Sequence, residues 1–416
     1  MSVVAIDPTG CLVIDGRKVF PILLSEAPPL GGKTRDGSDA WAEIASAGVN
    51  FVRSGLRDWS LPQVDDQIAS EQARMDAAAA HGLFCWPRLG NAGNLPPAQG
   101  SVEEQLLVRI ANGLKTHSAL GAYKGVDEPA WGGVPAAGLV RARTRLRALD
   151  PDHPVVITQA PLGSVASLVP YRPAFDITGA DIYPIAYPPG LHSDLPNKDI
   201  SVVGDVTKKM VAAAGTKPVW MTLQIAWSGI TPNQQNPDRV PRFPGLHEER
   251  FMAYQAIVNG ARGLVFFGGQ LTQVMAPLDA PLGWNWRFWE RVLRPLVVEL
   301  TSPSVLPALI APIAQAAVTA SAADVELTAR RSGDVLHVIA VRRGASTSRV
   351  TISGLPPKRG GAQLTGGQVM FEYVQAPLPP PIQPDKQQFR SVKVTSGGFK
   401  DWFGPHDAHV YRFNLA

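Results

Sequence analysis

Eight short apolar runs, alternating with helix-like stretches, constrain this chain more than any other feature. They lie at residues 19–25, 49–54, 83–89, 122–126, 155–159, 177–182, 219–223 and 263–267. Each is apolar at successive rather than alternate positions, the pattern of a strand covered on both faces. Such strands are parallel, because each returns to the sheet through a helical crossover. The intervening stretches carry helix punctuation. Ser101-Val-Glu-Glu104 reads as a capping box before "QLLVRIANGL", and residues 39–47 read as an amphipathic helix stopping at Gly48. Ser70 is expected to cap "EQARMDAAAAH", which stops at Gly82, and residues 162–171 leave room for only a meagre helix. "EERFMAYQAIVNGA" precedes the eighth run, and "WRFWERVLRPLVVEL" follows it to close the ring.

Eight such units over residues 21–303 predict a (β/α)8 TIM barrel. A doubly wound open sheet would begin with a glycine-rich nucleotide turn, which the sequence lacks. Residues 1–20 read as a β-hairpin packed on the barrel, turning at Asp15-Gly16. Past residue 303 helical periodicity fades, and "DVELTARRS", "DVLHVIAVRR", "SRVTISGL" and "AHVYRFNL" alternate like strands. Residues 304–416 therefore read as an all-β sandwich of about seven or eight strands. The proline-rich segment 377–384 is a loop, since proline cannot sit in a central strand.

Composition narrows the function. The net charge is only +4, and the 39 lysines and arginines are scattered rather than clustered, so nucleic acid is not an expected partner. No apolar stretch is long enough to span a bilayer, so no membrane partner is expected either. The first ten residues show no basic head or apolar core of a leader, which leaves localisation undecided. Cys11 and Cys85 are too few for a disulfide framework and read as two buried thiols. Gly32-Lys33-Thr34 ends like a phosphate loop, but Ala27 stands where its first glycine belongs. His247-Glu248 starts like a zinc helix, but Phe251 takes the place of the second histidine. There is no Gly-x-Ser-x-Gly, and the eight histidines show no ligand spacing. No metal and no cofactor is expected.

A β/α barrel does its chemistry where strands end. Reading those ends in order gives Glu26, then Arg53-Ser54, then Trp86, Arg88 and Asn91, then Asp127-Glu128, Gln159, Asp181 with Tyr183, Gln224 with Trp227, and Gln270. Carboxylates, amides and aromatics together make a sugar site, because ring faces stack on pyranoses while polar groups take hydroxyls. Glu128 is the expected general acid, with Asp127, Asp181 and Glu26 as further catalytic carboxylates. Arg53, Trp86, Trp131, Tyr183, Gln224, Trp227 and Trp284 are the expected substrate-binding set.

The motif "GVDEPAW" resembles the Asn-Glu-Pro signature of the clan A glycoside hydrolases, which are (β/α)8 barrels. The resemblance implies that Glu128 is the acid/base and that Asp127 binds the hydroxyl beside the anomeric carbon. Arg53 and the Tyr183 of "ADIYP" resemble that clan's site supports, "VIDGRKVFPI" resembles its first strand, and "FKDWFGPHDAHVYRF" resembles the closing strands of its appended β-sandwich. Two positions depart from the pattern: Asp127 replaces the usual asparagine, and Gln224 takes the place of the nucleophilic glutamate at the seventh strand end. An amide cannot ionise, so three routes stay open. They are inversion with Glu26 or Asp181 as base, substrate assistance by the Asp127-Glu128 pair, and another carboxylate as nucleophile. The competing readings are a non-catalytic carbohydrate-binding protein, motivated by Gln224, and a barrel lyase or aldolase using Lys124, for which the sequence shows no partner.

Overall fold

The computed structural model describes residues 2–53, 58–234, 236–372 and 389–416. Ser54, Tyr373 and the proline-rich segment 377–384 lie outside the described residues. Each of the eight apolar runs supplies one strand of a single parallel sheet. In chain order these are Ile22–Leu24, Phe51–Val52, Phe84–Cys85, Tyr123–Lys124, Val155–Gln159, Ile177–Ala180, Val219–Gln224 and Ala261–Phe267. The first pairs with the eighth, and the third and fourth are the two edges. Those edges meet through parallel bridges from Cys85 to Leu120 and from Arg88 to Lys124, so the sheet curls shut. The Lys124 N–H donates to the Pro87 carbonyl and the Leu89 N–H to the Lys124 carbonyl at that seam.

The period-2 geometry of a strand sorts the barrel residues into two layers. Leu23, Phe51, Ala122, Val156, Ile177, Trp220 and Val265 fill the interior together with Trp86. Their neighbours Leu24, Val52, Tyr123, Met221, Leu223 and Phe266 point outward and pack beneath the helices. Burying such side chains contributes about 1.5–3 kcal/mol each, which is why both layers had to be apolar.

The bottom of the barrel is plugged. The first twenty residues form not a hairpin alone but a three-stranded antiparallel sheet of Val4–Ile6, Leu12–Ile14 and Arg17–Val19. Its tight turn has Asp15 at φ 49° and Gly16 at φ 79°, the two left-handed residues that such a turn demands. Val4, Leu12 and Ile14 join the barrel interior from below, and the Val4 N–H donates to the Asp152 carbonyl at 3.0 Å.

Helix ends follow local chemistry. Asp39 accepts from Trp41 N and Ala42 N and starts helix Ala40–Ala47, which Gly48 ends at φ 112°. Ser101 Oγ accepts from Glu104 N at 3.2 Å, but the Glu104 carboxylate turns to the Gly100 N–H rather than closing the box. Ser70 caps nothing. Its helix runs Val64–Ala80, with Asp65 and Asp66 in the first turn where the helix dipole favours negative charge.

Beyond the barrel, three strands face five around a separate core that includes Leu336, Val338, Val350, Phe399 and Tyr411. All of these strand pairs are antiparallel. An ion pair and a hydrogen bond fasten this unit to the barrel helices: Arg343 makes two 2.7 Å bonds to Asp205, and Glu326 accepts from Asn259 at 2.9 Å.

Candidate active site

A cavity of about 450 Å³ opens at the carboxyl ends of the strands. Every strand supplies one wall residue, either from within the strand or from the position just after it. The first four give Ser25, Arg53, Trp86 and Lys124, and the last four give Thr158, Asp181, Thr222 and Phe267. Glu128, Asp127 and Trp131 enter from the loop after the fourth strand. That loop is pinned. Glu128 N donates to the Thr158 carbonyl at 2.8 Å, Ala130 N donates to Gln159 Oε1, and Val134 N returns to the Pro129 carbonyl. Glu128 itself sits at φ 44°, a left-handed conformation that a non-glycine residue adopts at a cost of order 1 kcal/mol or more. Strain of this kind persists only where the surroundings over-determine it, and here it turns the Glu128 carboxyl into the cavity.

The Glu128 and Asp181 carboxyl groups face each other. One oxygen of each, together with a ring nitrogen of His192, lies within 4.8 Å of the other two. Burial raises Asp181 well above the usual carboxylate range, and the neighbouring charges of Glu128 and Asp127 push the same way. Burial also raises Glu128, with Asp181 pulling against it and the Asp127 charge adding to it. Two carboxyls this close titrate as a unit, so the pair retains one shared proton to a higher pH than an isolated carboxylate would. Asp127 behaves differently. Burial alone would raise it, but the Lys124 ammonium, 2.7 Å from its Oδ1, outweighs burial and holds it below its ordinary value. Three adjacent carboxylates thus divide into one ionised group and one proton-sharing pair.

Aromatic rings build one wall. Tyr183 stacks on Phe267 at 5.6 Å between centroids and on His192 at 4.4 Å, and His192 meets Trp227 edge-on at 4.6 Å. Burial pushes the His192 imidazole down to about 4, so it is neutral at pH 7. Trp131 is 67% exposed at the rim, while Trp86 is buried in the floor with Lys124 above its ring. Among the described residues, four buried polar atoms on this wall and floor have no hydrogen-bond partner: Trp86 Nε1, Asp181 Oδ1, His192 Nδ1 and Trp227 Nε1. Unpaired polar groups converging on one cavity suit a ligand with many hydroxyls. Glu128, Asp181 and His192 also form a constellation able to hold a cation.

The structure brings Glu128, Asp127, Asp181, Arg53, Trp86, Trp131, Tyr183 and Trp227 to this cavity. Three other expected site residues are not among its lining. Gln224 is fully buried, and its amide clasps the Ile185 backbone, accepting from N–H at 3.0 Å and donating to C=O at 2.6 Å. Glu26 forms an ion pair with Arg53, which spends its carboxylate beside the cavity. Trp284 donates to the Glu26 carbonyl at 3.0 Å and packs against Trp286 and Trp289. Conversely, Lys124, Thr158, Thr222, Phe267 and His192 line the cavity without having been singled out as site residues. Four of them sit on strands, and inward parity with Ala122 would have found Lys124. His192 lies in the long loop after the sixth strand, which has no period to read.

No family model matches this chain, and no curated protein matches it. Solved structures do. A glycoside hydrolase family 5 protein from Bacteroides vulgatus aligns over 99% of this chain and 93% of its own, at 12% identity and a TM-score of 0.59. A GH30 endoxylanase from Clostridium papyrosolvens aligns over 96% and 97%, at 11% identity and a TM-score of 0.52. AbfB, a family 51 α-L-arabinofuranosidase from Bifidobacterium longum, aligns over 100% and 97%, at 11% identity and 0.51. The fold is therefore that of glycoside hydrolases: a (β/α)8 barrel followed by antiparallel sheets, matched over almost the whole chain.

Proposed function

We propose that this protein is a glycoside hydrolase acting on an oligo- or polysaccharide, with Glu128 as acid/base and Asp181 as its partner. The observation that carries this is the facing Glu128–Asp181 pair, raised above ordinary carboxylates, in a cavity that all eight strands line. An inverting pair stands about 6.5–9.5 Å apart to admit water, and a retaining pair about 5–5.5 Å. The nearest oxygens of this pair lie within 4.8 Å, which favours the closer, retaining arrangement over a gap that admits water. In that route the shared proton passes to the glycosidic oxygen as its bond to the anomeric carbon breaks. The Asp181 carboxylate bonds to that carbon, and water, deprotonated by Glu128, then displaces it. Asp127, kept ionised by Lys124, holds a sugar hydroxyl beside the reacting carbon. This assigns to the sixth strand the role that the clan pattern would give to Gln224.

The alternative is a carbohydrate-binding protein without turnover, motivated by the amide at Gln224. Hydrolysis of a panel of aryl glycosides and oligosaccharides decides between the two. Turnover that falls by at least about a thousandfold in Glu128→Gln and in Asp181→Asn, with retained anomeric configuration by NMR, supports the hydrolase. Sugar binding without turnover in the unaltered protein sinks it.

A further inference from the structure

The loop after the fourth strand has a second side. Its inner members, Asp127, Glu128 and Trp131, line the catalytic cavity, whereas Val126 and Val134, which bracket it, line a separate cavity of about 360 Å³. Arg88, Asn94, Asp58 and Glu103 supply the polar groups of that second cavity. The two spaces therefore flank a single ridge, and the exposed indole of Trp131 is on it. Arg88 is bridged through its backbone to Lys124 at the barrel seam, so the second cavity adjoins the charged edge of the first.

The chemistry of the second cavity suits a sugar rather than a structural void. Arg88 Nε is buried and has no protein partner among the described residues. Asp58 and Glu103 line the same space, yet neither forms an ion pair with Arg88 among the described residues. A guanidinium, an amide and two carboxylates offer both donors and acceptors around a space of sugar-like size. Asn91, by contrast, is spent on the Trp59 backbone and acts as scaffold.

We propose that this second cavity is a distal sugar subsite. A glycan chain held at Glu128 runs over the Trp131 ridge and places a further sugar unit against Arg88, Asn94 and Glu103. The inference rests on the hydrolase reading and deepens it: the substrate is a chain of several sugars rather than a small glycoside. Binding energy from the remote unit then raises kcat/KM without touching the reacting bond.

The test compares an aryl monosaccharide with oligosaccharides of two to six units of the same sugar. In the unaltered protein kcat/KM is expected to climb at least tenfold along the series. Arg88→Met and the double variant Asn94→Ala/Glu103→Ala are expected to remove most of that climb, and the double variant leaves the aryl monosaccharide within twofold. A flat length series, or equal loss on short and long substrates, overturns the subsite while leaving the hydrolase reading intact. If no glycoside is turned over, the hydrolase reading fails instead. Calorimetric binding of the intact hexamer to the unaltered and double-variant proteins then decides the subsite, and equal affinity overturns it.

Discussion

Replacing Gln224 with glutamate separates two accounts of the seventh strand. If Gln224 stood where a nucleophile belongs, the new carboxylate would create or restore turnover. The structure predicts damage instead. The Gln224 amide is fully buried and satisfies both polar atoms of the Ile185 peptide, with Oε1 taking N–H at 3.0 Å and Nε2 giving to C=O at 2.6 Å. A protonated carboxyl can still do both, because it keeps one O–H donor and one acceptor. An ionised one cannot, since it would set a buried negative oxygen against the Ile185 carbonyl. Folding therefore holds the new carboxyl's pKa above its unfolded value of about 4.3. The stability difference is small below about pH 4.3, where the group is protonated in both states, and grows as pH rises toward the folded pKa. Buried carboxyls shift by up to about 3–5 units, so a three-unit rise costs about 4 kcal/mol at neutral pH. Urea denaturation of Gln224→Glu and the unaltered protein at pH 4, 5.5, 7 and 8 measures this directly. Curves that coincide at pH 4 and diverge upward are the expected result. A pH-independent difference, or a gain in glycoside turnover, would refute the reasoning.

Three further outcomes follow from the charges described. Asp127→Asn removes a negative neighbour of both Glu128 and Asp181 and leaves Lys124 uncompensated, so both carboxyls lose proton affinity. The alkaline limb of the kcat/KM profile moves to lower pH by about one unit, read from initial rates between pH 4 and 9. Glu249 is fully buried, neither of its oxygens has a partner among the described residues, and burial raises it well above the carboxylate range. Glu249→Leu is therefore more stable than the unaltered protein, by a margin that widens by about 1.4 kcal/mol per pH unit above about pH 4.3, as chemical denaturation would show. A cation at Glu128, Asp181 and His192 competes with the shared proton. Millimolar EDTA thus leaves kcat/KM at pH 7 within twofold, whereas added zinc inhibits.

How legible all this was in the sequence depends on what each residue obeys. The eight strands were legible because a strand buried on both faces must be apolar at consecutive positions. Asp181 and Tyr183 were legible because they continue the inward parity of the sixth strand, and Glu128 because it lies in the loop that follows the fourth. Gln224, Glu26 and Trp284 were misplaced because a side chain near the barrel rim goes where a neighbour offers a partner, here the Ile185 peptide, the Arg53 guanidinium and the Glu26 carbonyl. Lys124 was seen and set aside for want of a partner. Its partner, Asp127, is only three residues on, but lies past the strand's end, where the period-2 pattern no longer says which way a side chain points. The first strand of the N-terminal sheet escaped notice because Val4–Ile6 is too short to announce itself without Leu12–Ile14 beside it.

That small sheet also dictates an order of events. It is made well before the surfaces it seals, which lie far downstream: the Asp152 carbonyl, Pro218 and Arg262 beside Gly10, and the interior ends of strands up to Val265. Its docking cannot precede closure of the barrel, so loop-closure entropy makes it a late step. Until then Val4, Leu12 and Ile14 stay unburied at one end of the nascent chain, and the open floor of the barrel waits at the other.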